Sequence, residues 1–153
     1  MPPTPSASDL TAHLGYWLRY VSNHVSQAFA RKVQARGVTV AEWVLMRQLL
    51  EEQALAPSRL ADRMGMTRGA ISKLADRLIA KGMLVRVADP EDGRAQTLAL
   101  KPAGRALVPV LAALADANDA EFFDHLAPED RAALLRILRG IVEKRGLKSL
   151  PVD

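Results

Sequence analysis

The stretch from Pro57 to Gly82 holds two complete sets of helix start and stop signals, and this limits the fold more than any other feature of the chain. Pro57 suits the first position of a helix, where its missing N–H is not needed, and Leu60, Ala61 and Met64 then fall on one side to be buried. Gly65 can take the left-handed conformation that ends such a helix. Thr67 is placed to cap a second helix, whose Ile71, Leu74 and Leu78 recur at spacings of three and four before Gly82. Two apolar stripes joined by so tight a turn are buried together only if the helices cross steeply. The small Ala61 lets the second helix press on the first, and Ile71 plugs the core they share.

This spacing resembles the helix-turn-helix pattern. Arg68, Ser72, Lys73, Asp76 and Arg77 lie outside the buried stripe of the second helix, with Thr67 and Arg68 at its leading end. A helix so arranged enters a major groove by its N-terminal end, placing side chains at base edges and flanking cations on phosphates. The alternative is an amphipathic hairpin of a helical bundle with an ordinary solvated face. The next segment favours the first reading. Met83 to Ala88 and Ala95 to Leu100 are short β-compatible runs, joined by Asp89-Pro90-Glu91-Asp92-Gly93-Arg94, so a β-hairpin is expected. Its tip would bring Arg94 beside the second helix, where a guanidinium can enter a narrow minor groove, and Asp92 stands close enough to hold it by an ion pair. The other reading of Arg94 is a plain loop charge.

Longer helices flank this block. Leu10, Leu14, Trp17, Val21, Val25, Phe29 and Val33 mark one stripe of a helix over roughly 8–36, closed by Gly37. At about 1.5 Å per residue it would run about 40 Å, more than a small domain uses internally, so packing against a second subunit is expected. Thr39 and Glu42 form a capping box that starts a buried helix at Val40, carrying Trp43, Val44, Met46, Leu49 and Leu50 and ending near Glu52. Downstream, Leu107, Leu111, Leu114, Asn118, Phe122 and Leu126 keep a helical register from Pro102, with a bend expected at Pro109. Pro128, Glu129 and Asp130 open a last helix with a core stripe of Leu135, Leu138 and Val142 and a stop at Lys144-Arg145-Gly146. The expected fold is mainly α with a small β-hairpin wing (α+β). Residues 8–36 and 102–146 form a helical dimerisation region around a winged lobe at 39–101, with flexible ends at 1–7 and 147–153.

Composition narrows the function. A net charge of +4 is concentrated in the middle: residues 56–101 hold nine basic and five acidic side chains, as a polyanion-binding surface requires. With no cysteine there is no disulfide framework, thiolate metal site or thiol redox switch. His13, His24 and His125 are scattered, and no phosphate loop or nucleophile pattern is present, so neither catalysis nor a metal or cofactor is expected. No apolar run approaches the length of a bilayer crossing and no signal pattern opens the chain, so no membrane partner and a cytoplasmic location are expected.

Leu60-Ala61, the Gly65 turn, Asp76-Arg77-Leu78, Lys81-Gly82-Met83-Leu84-Val85-Arg86 and Asp92-Gly93-Arg94 together resemble the MarR family of bacterial repressors, over nearly the whole chain. That resemblance implies a homodimer joined through its first and last helices on the double-stranded DNA of a palindromic operator. It places Ser58, Thr67, Arg68, Ala70, Ser72, Lys73 and Arg77 against DNA and makes Arg94 the wing arginine. The chain departs from the pattern at Lys101, where many relatives carry a Thr or Ser cap. Family members commonly release DNA when a small, often aromatic, anionic compound binds between the dimer helices and the DNA-binding lobe. His13, Tyr16, Trp17, Arg19 and Trp43 offer rings and donors for a small aromatic carboxylate or phenolic effector. Read singly, Trp17 and Trp43 are equally core residues, and His13 and Arg19 surface ones. The competing function is a winged-helix protein–protein interaction module without sequence-specific DNA binding. Convergence of Arg68, Lys73, Arg77 and Arg94 on one face favours DNA.

Overall fold

Local signals set most element boundaries. The computed structural model describes residues 1–89 and 91–148; Pro90 in the hairpin turn and 149–153 of the expected flexible end lie outside the described residues. The first long helix, α1 (Leu14–Gln34), is followed by Gly37 at a positive φ of 80°. Then α2 (Val40–Leu49) starts on its reciprocal cap: Glu42 N donates to Thr39 Oγ1 at 3.1 Å, and Thr39 N donates to Glu42 Oε1 at 2.9 Å. Next come α3 (Pro57–Met64) and α4 (Arg68–Ala80). Strands β1 (Leu84–Ala88) and β2 (Gln96–Leu100) pair antiparallel, Leu84 opposite Leu100 and Ala88 opposite Gln96. The chain closes with α5 (Pro102–Phe123) and α6 (Pro128–Arg145).

One continuous core sits inside the lobe. Leu45, Met46 and Leu49 of α2, Leu60 and Met64 of α3, Ile71 and Leu78 of α4, Leu84 and Leu98 of the strands, and Val108 and Leu111 of α5 are all buried in it. The linker before α3 docks on β2 through Leu55, whose backbone exchanges hydrogen bonds of 2.9 and 2.8 Å with Leu98. Lys101 supplies no side-chain cap; α5 starts instead on Pro102, and Lys101 N donates to Met83 O at 2.9 Å. Two residues on, a Cβ at Gly104 would lie 2.4 Å from Met83 O, so only glycine lets α5 pass this close to the hairpin.

The outer helices depart from the sequence expectation in three ways. His13 is extended, so a single 3₁₀ turn, Leu10–Ala12, stands apart from α1 and the helix does not run on from residue 8. Trp17 Nε1 fixes that turn by donating to Thr11 O at 2.9 Å. At the other end α5 stops at Phe123, before Leu126. Most consequential is α6, whose stripe of Leu135, Leu138 and Val142 was expected to be core yet remains 37–47% exposed; the helix buries no residue within the chain. Periodicity shows that a face is apolar, but not which surface covers it. Among the described residues, no helix is long and apolar enough to cross a membrane.

Candidate nucleic-acid interface

Capping and burial together orient α4. Its apolar residues Ile71, Leu74, Ala75 and Leu78 are buried, and Thr67 Oγ1 accepts from Ala70 N at 3.1 Å at its start. Between α3 and α4, Gly65 adopts φ 63° and turns the chain through a conformation that costs a residue with a Cβ appreciably more. The consequence is a face on which Thr67, Arg68, Ser72, Lys73, Asp76 and Arg77 are exposed, while Ser58 and Ala70 are half-buried at its edge.

Charge pairing on this face is selective. Asp76 Oδ1 accepts from an Arg86 Nη of β1 at 2.7 Å, which ties the hairpin to α4 and neutralises the acid of the exposed face. Arg68, Lys73, Arg77 and Arg94 make no ion pair among the described residues, and all four are exposed. The ion pair expected between Asp92 and Arg94 does not form. Asp92 Oδ1 accepts instead from the Arg94 backbone N at 3.1 Å, an Asx-type turn that spends the carboxylate on the main chain and leaves the guanidinium free. A second such bond, Glu91 N to Asp89 Oδ1 at 2.9 Å, stiffens the same turn.

The far end of α4 is clamped. Lys81 Nζ donates to Glu42 Oε1 at 3.0 Å, to Glu42 Oε2 at 2.8 Å and to Gly37 O at 2.9 Å. Burial pushes the Glu42 carboxyl's pKa up, but hydrogen bonds from Lys81 and Thr39 and the Lys81 charge outweigh it and hold the group below its ordinary value. From sequence Glu42 is legible as a cap, whereas its second role depends on a partner 39 positions away.

Beside this lobe, α1, α2 and α5 border an open cavity of about 440 Å³ lined by Val25, Ser26, Phe29, Val40, Trp43, Val44, Gln48, Ala115, Asn118 and Asp119. Of the residues considered for an effector, Trp43 lines it; His13, Tyr16, Trp17 and Arg19 do not. His13 precedes α1, and Arg19 is exposed about two turns before Ser26. Tyr16 and Trp17 instead join a ladder with Tyr20 and His24, Tyr16 edge-on to Trp17 at 5.3 Å and Tyr20 stacked on His24 at 5.2 Å. The contributions of α5 were not foreseen, although Asn118 is a polar residue within an apolar stripe and so gave a signal. Asn118 is 4% exposed; its Nδ2 donates to Val25 O at 3.1 Å and its Oδ1 accepts from Lys32 Nζ at 2.9 Å.

The profile of the MarR family matches residues 36–95, from the end of α1 through the hairpin turn. A helix-turn-helix transcriptional repressor of Mycobacterium bovis is 30% identical over 121 residues, spanning 78% of this chain and 87% of that protein. The chain belongs to the MarR family. It is therefore a DNA-binding transcriptional regulator, and its fold agrees with solved members of similar shape. BpsR of Bordetella bronchiseptica, described for regulation of its DNA binding by 6-hydroxynicotinic acid, is 24% identical with a TM-score of 0.77, over 89% of this chain and 97% of that one. CouR of Rhodococcus jostii, solved with p-coumaroyl-CoA, is 22% identical with a TM-score of 0.78, over 95% and 99%. At these identities the likeness is one of fold. The matched MarR stretch contains α2, α3, α4, β1 and the turn residue Arg94, and so includes Arg68, Lys73, Arg77 and Arg94.

Proposed function

We propose that this MarR-family chain is a homodimeric repressor that sets two copies of α4 and the hairpin on a palindromic operator and leaves it when a small aromatic molecule enters the cavity at Trp43. One observation carries the operator half: Arg68, Lys73 and Arg77 are exposed outside the buried stripe of α4 and Arg94 is exposed at the hairpin turn, and none of the four is held in an ion pair among the described residues. Cations left without an internal partner are the groups that neutralise phosphates and release counterions. Arg68, Lys73 and Arg77, with Ser58, Thr67, Ala70 and Ser72 around them, meet the major groove, and Arg94 reaches the minor groove. The Thr67 oxygen already accepts the cap bond, which leaves its O–H to donate to a phosphate.

The dimer half rests on apolar surface that the chain does not cover itself. Leu14, Trp17 and Val21 of α1 and Leu134, Ile137, Leu138, Ile141 and Val142 of α6 are exposed, and apolar faces left open in this way are the kind of surface that marks a protein–protein contact. Residues 8–36 and 102–146 are thus assigned to dimerisation and 39–101 to DNA. The effector half rests on a cavity whose 440 Å³ falls in the range of small-ligand sites, with the ligands named for BpsR and CouR as precedent. His13, Tyr16, Trp17 and Arg19 lie in the 8–36 segment assigned to dimerisation and would meet an effector only in the dimer.

Recovery of genomic DNA bound by the protein, followed by footprinting, tests this reading. Two inverted half-sites about 10 base pairs apart, or a multiple of that spacing, are expected. Protection of a single half-site by a monomer would sink it.

A further inference from the structure

We infer that filling the open cavity acts on α4 through the clamp at the start of α2, which makes Glu42 and Lys81 the positioning residues that link an occupied cavity to DNA binding. This rests on the cavity being the effector site and on α4 being the helix that meets DNA, as proposed above.

Helix α2 has a different neighbour on each side. Val40, Trp43, Val44 and Gln48 line the cavity. At about 100° per residue, Glu42, Leu45, Met46 and Leu49 fall on the opposite side, where all four are buried and the three apolar ones enter the core of the lobe. Among the described residues the cavity is lined from α1, α2 and α5 and not from α3, α4 or the hairpin. An occupant therefore reaches α4 only through another helix, and α2 both lines the cavity and packs on α4.

Two kinds of contact join α2 to the lobe. Apolar packing is non-directional, and packed helices can slide against each other by small amounts. The clamp is directional. Lys81, the C-cap residue of α4, donates to both Glu42 carboxylate oxygens and to Gly37 O over 2.8 to 3.0 Å. Because Glu42 is fully buried, parting the two would leave its charge without a counter-ion in the core. The same carboxylate accepts from the Thr39 backbone N at the start of α2. One ammonium thus fixes the end of α4 to the first turn of α2, the turn that carries Val40 and Trp43. A group wedged beside these two displaces that turn, and the clamp draws the end of α4 with it. Arg68, Lys73 and Arg77 ride on the same helix, about 20 Å long, and move as it tilts.

A side chain can serve as the occupant in the test. Ala115→Trp sets a ring in the cavity from α5, and Ser26→Trp does so from α1, where an exposed position tolerates the larger side chain. Each is introduced into the full-length protein, alone and with Lys81→Met, and affinity for the operator recovered as above is measured on protein that sediments as the dimer. With Lys81 in place, each ring is expected to lower operator affinity about tenfold. With Lys81→Met, the same ring should lower it less than about twofold, the difference being the coupling between the two places. A purely structural Lys81 would shift both arms alike and leave the effect of the ring intact. Equal losses in the two backgrounds therefore overturn the inference while the cavity stands as the effector site. Rings that leave operator affinity unchanged with Lys81 in place overturn it as well, and the effector half of the proposed function falls with it.

Discussion

Helices α4 and α6 both carry apolar residues at helical spacing, yet α4 buries four of them within the chain and α6 buries none. The same pattern thus has two meanings. From Val33 at the end of α1 to Leu111 the apolar faces converge on one core, and its stability belongs to the single chain. In α6 and the first half of α1 the apolar faces remain exposed, and under the dimer proposed above their stability would depend on a second copy and so on protein concentration.

The largest effect that separates the two regions is expected inside the lobe. Leu45→Ala removes a fully buried side chain and should cost about 2–5 kcal/mol in urea unfolding, with most of the loss independent of protein concentration. Ile141→Lys, on the open face of α6, should leave the lobe's circular dichroism intact but convert dimer to monomer in sedimentation, lowering operator affinity about a hundredfold through lost bivalency. If the Ile141→Lys variant stayed dimeric, the contrast between the regions would be erased.

A smaller effect sharpens the contrast from within the lobe. Lys81→Met strands the buried Glu42 carboxylate and should cost about 2 kcal/mol at pH 7. The pH dependence has a definite sign. Glu42 is held below 4.5 in the folded protein, so its stabilising contribution is fully present above 4.5 and is lost as pH falls through the lower folded value. Without Lys81 burial dominates and the folded group binds its proton more readily, so the deficit of the variant relative to wild type should shrink on acidification. A deficit constant from pH 7 to 4 would mean that the clamp does not stabilise the Glu42 charge.

How much was legible in the sequence follows from the range of each signal. Pro57, Gly65, Thr67 and the Thr39/Glu42 box act over a few residues, and the structure places α2, α3 and α4 where they indicate. The hairpin was legible for the same reason, to within a residue at each strand start. The cavity was not, because Phe29, Trp43 and Asn118 come from three helices far apart in sequence and only tertiary packing joins them. Likewise Lys81 and Arg86 were visible as motif residues, but their partners Glu42 and Asp76 depend on how α4 is seated. The exposed stripe of α6 is the converse case, a local signal that correctly marks a helix but whose apolar face the chain itself does not cover.

The smallest expected effect bears on the central assignment, the unpaired cations at the DNA face. Operator affinity measured across a salt series for wild type, Arg77→Ala and Arg94→Ala tests it most directly. Wild type should show log affinity falling steeply with log salt, and each variant should lose about 1–2 kcal/mol while its slope becomes shallower by about one unit, with the dimer unchanged. Wild-type affinity indifferent to salt, or variants with the wild-type slope, would contradict a role for these cations on phosphate.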